Sequence, residues 1–520
     1  MKKSILHTPY SIRYIIPVAL FFLITSCKSK QLVMQPKSEV VTIKLLQVND
    51  VYEISPLSGG KEGGMARVAY VADSIRKQNP NTYLMMAGDF LNPSLVGTLK
   101  VDGKRVRGRQ MIEVMNAMKF DLATFGNHEF DLKEQELQER LNESEFEWTS
   151  ANVYQKNGED VRVFHAIKEG DSIPISETII YDIDIGKEYP LRLGVFSVTI
   201  DSNPVDYVYY SDYLLEAGSA YSALESAKSD IIVGLTHLSV AQDIKIAEAF
   251  ENIDLIMGGH EHSNMYVPAG GTHIAKADAN AKSMYVHTLR YDLGSEVLAI
   301  DSELVPITDK TPTLPSVQAV VTAWENILDT EIKQVVANPD EVIYFAKIPL
   351  DGTDGGGRSK QTNLGQIFSQ AMAESFDTPV DGALVNSGSF RLDDNLEGDI
   401  TAIDIFRVLP FGGAVLKAEV TGELLIEILD FGESASGTGA YLQRYAMIKN
   451  NNDVWTLKGS PIMDAQVYTI AFSDYLLKGF DIPFLTPENP GVKSIYKPTA
   501  LEPAFDIRKA VISFMKTINQ

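Results

Sequence analysis

Ala123-Thr-Phe-Gly-Asn-His-Glu-Phe-Asp131 completes an apolar run that opens at Asp121-Leu122. The run reads as a buried strand, and Gly126 as the tight turn closing it, where backbone can approach a ligand closely. Asn127 offers a neutral oxygen to a metal ion. His128 offers a proton or a hydrogen bond to a phosphate, and Asp131 a carboxylate that fixes the imidazole tautomer. Taken alone, the same residues fit a turn holding a hydrogen-bonded histidine. The runs on either side decide between these readings.

The pattern repeats outward from there. The apolar run 41–48 ends in Asn49-Asp50, and 82–87 ends in Gly88-Asp89. The run 230–235 feeds Thr236-His237, and 253–257 feeds Gly258-Gly-His-Glu-His262. Helical spacing at 63–75 and 110–118 falls between strands, and the methionines of the second helix read as a core face. Alternating strands and helices predict an α/β layered domain. Ligands in such sheets collect beyond the strands' carboxyl ends. Asp50, Asp89, Asn127 with His128, His237, and His260 with His262 all fall at that edge, which predicts a metal site. A Pro/Thr-rich break at Thr311-Pro-Thr-Leu-Pro315 marks a junction. Beyond it, within the stretch 315–336, residues 325–336 are expected to form a long helix, then a glycine-rich loop at 351–358 and a helix at 362–372.

The 520 residues are enough for two or three domains with a large core, so no disulfide staples are needed. The one cysteine, Cys27, excludes an intrachain disulfide. The net charge of −23 argues against binding a nucleic-acid polymer, so an anionic substrate must be met by local cations or metal ions. Lys2 and Lys3, an apolar stretch at 14–24 and Thr25-Ser-Cys27 form an export signal, too short for a stable spanning helix. Ile24-Thr-Ser-Cys27 resembles the lipobox of bacterial lipoproteins. A lipidated Cys27 would tether the exported chain to a membrane, periplasmic or at the cell surface. An ordinary secretory signal is the alternative. The polar stretch 28–40 reads as a tether.

The ordered set Asp, Gly-Asp, Gly-Asn-His-Glu, His, Gly-His-Glu-His resembles the calcineurin-like metallophosphoesterase signature. Arg358 and Asn363, Asn386-Ser-Gly-Ser-Phe-Arg391, Leu409-Pro-Phe411 and Tyr475 through Asp481 resemble the C-terminal substrate-binding domain of the 5′-nucleotidases. The resemblance covers about residues 41–500 and implies a four-layered sandwich at 41–310. A linker helix at 311–340 and a mixed α/β substrate-binding domain at 341–520 would follow, with rotation between open and closed forms. It implies two divalent ions (Zn, Mn, or Fe and Mg) bridged by Asp89. Asp50, Asp89 and His262 would hold one ion; Asp89, Asn127, His237 and His260 would hold the other. The pair would bind phosphate oxygens and supply a hydroxide for in-line attack. His128, backed by Asp131, would stabilise the transition state or protonate the leaving alkoxide. Phe411 and Tyr475 would sandwich the base of a nucleotide substrate. Arg358 and Arg391 would hold phosphate, and Asn386 and Asp481 would contact the nucleoside.

Three departures stand out. The family's first motif, Asp-x-His, is Asp50-Val51-Tyr52 here. Tyr52 either binds a hard ion as phenolate or packs nearby while the first ion loses a ligand; packing is the commoner role of tyrosine. His262 offsets that loss, being a stronger ligand than the amide some members carry there. Tyr475 replaces the commoner Phe, and Gly-Gly-Asp has become Gly479-Phe480-Asp481. The expected activity is phosphate release from nucleoside 5′-monophosphates. A cyclic-phosphodiester or nucleotide-sugar hydrolase is the alternative on this scaffold, and a nucleotide-binding lipoprotein without turnover is the alternative from another class.

Overall fold

The computed structural model describes residues 39–519. The expected leader with Cys27, and the tether up to residue 38, lie outside the described residues. The first half is built on two six-stranded sheets. In one, Val40–Val48 pairs antiparallel with Ser283–Asp292 and parallel with Thr82–Ala87, which continues parallel to Leu122–Thr124. In the other, Leu191–Phe196, Ile231–Thr236 and Leu255–Gly258 run parallel.

Strand Thr82–Ala87 explains the layering. Met85 and Ala87 pack between the two sheets, while Leu84 and Met86 pack toward Met65–Arg76 and Arg109–Met118. Ile231–Thr236 does the same on its sheet. Val233 and Leu235 face the inner layer; Ile232 faces Tyr213–Ser226 and Val240–Ala249. A strand buried on both faces reads as a continuous apolar run, because neither side meets water. The result is helix, sheet, sheet, helix. Each fully buried Leu or Ile contributes about 1.5–3 kcal/mol.

A helix at Pro315–Lys333 follows. It begins ten residues before the expected start at Glu325, because Pro315 stands at a helix start, where its fixed φ and missing N–H cost nothing. Trp324 donates its indole N–H to Glu113 (2.9 Å), which docks this helix on the first half. The second half carries a five-stranded mixed sheet centred on Val467–Ser473 and a long ribbon, Val342–Gly352 with Asp394–Thr401. The expected glycine-rich loop is part ribbon and part helical turn: Thr353 Oγ accepts from the Gly356 N–H and caps Asp354–Gly357. One apolar cluster runs through the first half, the Pro315–Lys333 helix and the second half. Among the described residues no helix is long and apolar enough to cross a membrane.

Candidate active site

The parallel strands of both sheets end at one edge, and the chain turns sharply there. Asp50, Asp89, His260 and His262 all adopt positive φ (53°, 55°, 86° and 56°). Non-glycine residues rarely do so outside sites whose surroundings enforce it. The glycines beside them are steric requirements. A Cβ on Gly126 would lie 2.1 Å from Asp89 Oδ1, and one on Gly259 would lie 2.3 Å from the Ala87 carbonyl.

Asp50, Asp89 and His237 converge, with donor atoms within 4.8 Å of one another, all buried. His237 donates Nδ1–H to the Ala87 carbonyl (2.8 Å), which turns Nε2 toward Asp89 Oδ2 (3.1 Å) and Asp50 Oδ1 (4.0 Å). The His260 ring meets His237 edge-on at 5.4 Å, and the His260 N–H donates to Asp50 Oδ2 (3.0 Å). His262 Nε2 lies 3.5 Å from Asp50 Oδ1. Tyr52 is buried, with its hydroxyl 2.9 Å from His262 Nε2 and 3.5 Å from Asp89 Oδ2. Burial, with Asp89 and Asp50 adding to it, holds that phenol well above its ordinary pKa, so it is neutral.

These residues fit metal ions on two grounds. His237 Nε2 and Asn127 Oδ1 are buried without an aligned hydrogen-bond partner, an arrangement costly unless something else engages them. The cluster is also short of positive charge. Burial opposes protonation of His237 and His262, yet Asp89 and Asp50 lift His237 to about 9, and Asp50 and Asp393 lift His262 to about 10. Carboxylates that pull protons onto buried imidazoles would equally hold cations.

His128 stands beside this cluster. Its backbone N–H donates to Asp89 Oδ1 (2.7 Å), and Nδ1 pairs with Asp131 Oδ2 (3.0 Å). Burial opposes its charge, but Asp89, Asp131 and Asp393 outweigh it and keep the imidazole protonated well above its ordinary pKa. Asp131 is held in turn by Asn92 Nδ2 (2.7 Å) and Asn203 Nδ2 (3.0 Å). Although burial raises its carboxyl, His128 above all brings it down to about 2.

Glu129, given no role from sequence, organises the turn. Oε1 accepts from Phe90 and Leu91 N–H (2.8 and 3.1 Å); Oε2 accepts from Asp89 and Gly126 N–H (2.9 and 2.6 Å). Burial and Asp89 push it up to about 7, while the N–H donors favour its anion. Lys276, fully buried, ties the other loop. It donates to the Leu238 and Gly259 carbonyls (2.6 and 2.8 Å) and pairs with Asp243 (2.8 Å) and with Glu261, which sits between His260 and His262. The Gly-Asn-His-Glu motif could have flagged Glu129. No local pattern pointed to Asn92, Asn203 or Lys276.

Arg358, Asn386, Arg391, Phe411, Tyr475 and Asp481 line one cavity of about 570 Å³, and Asp131 forms part of the same wall. Phe411 and Tyr475 keep 51% and 38% of their surface exposed there, available for stacking. Arg391 lies over the Phe411 ring (5.7 Å) and Arg358 pairs with Asp354. Both arginine Nε atoms are buried without a partner. Asn386 donates to Asp481 Oδ2 (2.7 Å), and the Tyr475 hydroxyl to Oδ1 (3.3 Å). Phe480 packs against Tyr475 (5.4 Å) and is largely exposed.

Comparison with known proteins then decides the family. The family model of the calcineurin-like phosphoesterases matches residues 43–264, and that of the 5′-nucleotidase C-terminal domain matches 342–486. The chain belongs to the 5′-nucleotidase family. It is a metal-dependent phosphoesterase whose cofactors are two divalent ions. Human 5′-nucleotidase is 25% identical over 415 residues, 73% of this chain and 68% of that protein. The trifunctional nucleotide phosphoesterase YfkN of Bacillus subtilis is 26% identical over 73% of this chain and 28% of its own length. The 5′-nucleotidase precursor of Thermus thermophilus shares the fold, with a TM-score of 0.63 at 20% identity over 92% of this chain and 97% of that one. The sulfate thiohydrolase SoxB of a Thermus species shares it too, with a TM-score of 0.58 at 14% identity over 92% and 94%. The 5′-nucleotidase fold thus serves more than one reaction, and the substrate must be argued from the site.

Proposed function

We propose that the protein hydrolyses nucleoside 5′-monophosphates to nucleoside and phosphate. What carries this reading is the cavity whose wall brings exposed rings and arginines together with Asp131, the partner of His128. Its volume suits a mononucleotide. Phe411 and Tyr475 stack the base, Asn386 and Asp481 contact the nucleoside, and Arg358 and Arg391 hold phosphate. Asp50, Asp89 and His262 hold one ion, and Asp89, Asn127, His237 and His260 the other. When bound, the ions supply Lewis acidity toward the phosphate oxygens and lower the pKa of the attacking water. His128 gives its Nε2 proton to the leaving 5′-oxygen, and Asp131 keeps the opposite nitrogen protonated and the ring in plane. The stretch 41–310 works as the phosphoesterase domain, 311–340 as linker and 341–520 as substrate-binding domain. The chain is exported and anchored through a lipidated Cys27.

Rates on AMP, a 2′,3′-cyclic nucleotide and UDP-glucose, with products separated by chromatography, test the substrate. Adenosine and phosphate should form from AMP with a kcat/KM at least about tenfold above the others. A preference for the cyclic or sugar nucleotide would overturn the assignment and leave the metal chemistry standing.

A further inference from the structure

Asp393 belongs to the second half yet reaches the metal cluster of the first. It lies just before the strand Asp394–Thr401, with φ of 44° in the left-handed region. Its Oδ1 accepts from the Asp354 N–H (2.8 Å). That leaves Oδ2 aimed across the boundary, 3.5 Å from His128 Nε2 and 3.7 Å from His262 Nε2. The next residue pins the loop independently: Asp394 Oδ2 lies 3.0 Å from Lys282 Nζ and 3.4 Å from Asn280 Nδ2. Asn280 in turn accepts from the Tyr52 N–H (3.1 Å).

We propose that Asp393 is a ligand of the ion held by Asp50 and His262, supplied by the second domain in place of the donor lost at Tyr52. Donors bound about 2.1 Å from one ion lie about 3.0–4.2 Å from each other, as cis and trans neighbours. Around His262 Nε2, Asp50 Oδ1 at 3.5 Å and Asp393 Oδ2 at 3.7 Å both fall in that range. A neutral phenol is a weak donor, whereas a carboxylate is the usual hard one.

A functional consequence follows from the spacing. Arg391, two residues before Asp393, lines the substrate cavity. Ligation by Asp393 therefore fixes the loop that presents Arg391 and couples loading of this ion to docking of the two domains. By linkage, an ion that favours the docked form is itself held more tightly in that form.

This inference rests on the dimetal reading, and the test separates the two. Mn²⁺ binding to the purified, chelated protein would be measured by calorimetry and elemental analysis, with domain separation followed by small-angle scattering. Wild type should bind two ions and become more compact. Asp393→Asn keeps an acceptor for the Asp354 N–H, yet should weaken one ion about 100-fold, the upper end for even an outer-sphere partner. Compaction should then be lost, and adding Tyr52→His should restore the stoichiometry but not the compaction, because the restored ligand belongs to the first domain. An Asp393→Asn protein that binds two ions within about twofold of wild type would overturn the proposal alone. A wild type that binds fewer than two would overturn the dimetal reading as well.

Discussion

Glu129→Gln exchanges one carboxylate oxygen for an NH₂ group and tests how the turn carrying Asp89 is held. The carboxylate accepts four backbone N–H groups, two on each oxygen. The amide keeps one acceptor and turns an NH₂ toward two donors. Either orientation leaves two buried N–H groups unsatisfied: Phe90 and Leu91, or Asp89 and Gly126. Each costs about 1–3 kcal/mol, so the loss is about 2–6 kcal/mol. Relief of charge burial beside Asp89 offsets part of it, giving about 1–4 kcal/mol net. Urea unfolding of the metal-free protein at pH 8, where the wild-type side chain is ionised, reads this as a lower midpoint at unchanged slope. Mn²⁺ affinity should fall as well, because the Asp89 backbone loses its anchor. A midpoint shift worth less than about 1 kcal/mol would refute the claim that this cradle holds the turn.

The other perturbations probe separate parts of the site. Asp131→Asn removes the charge that helps keep His128 protonated, so the alkaline limb of kcat should move to lower pH, with kcat down about 10–100-fold. An unmoved limb would dissociate the pair. Lys276→Met leaves Asp243 and Glu261 without their buried cation and should destabilise by about 3–5 kcal/mol, read from the denaturation midpoint. A smaller loss would make Lys276 incidental to the His260–His262 loop. Phe411→Ala and Tyr475→Ala should each raise KM for AMP by roughly 5- to 150-fold, about 1–3 kcal/mol of stacking, with a smaller change in kcat. Unchanged KM would place the base elsewhere.

What could be read from the sequence followed the chemistry of local runs. Buried parallel strands are apolar throughout, so Asp50, Asp89, His237 and the His260–His262 pair stood out as polar residues at their ends. Those residues do lie at one edge of the sandwich. The groups that hold them were not legible, because they act across the fold. Asn203 meets Asp131 from 72 residues away, and Asp393 meets His128 from the other domain. Lys276 looked like any strand lysine, yet is fully buried under the loop it ties. The helix start at Pro315 was misplaced for a different reason: proline marks both helix beginnings and breaks, and only packing of Trp324 against Glu113 selects the first.

Phosphate release from AMP by the chelated protein, before and after adding Mn²⁺, Zn²⁺, Mg²⁺ or Fe²⁺, tests the account most directly when run beside His128→Ala. No phosphate should be released without metal, and at least one ion should restore release. The variant should be about 10²–10⁴-fold slower, with its metal content unchanged. Release that persists after chelation, or that His128→Ala leaves intact, would contradict the account.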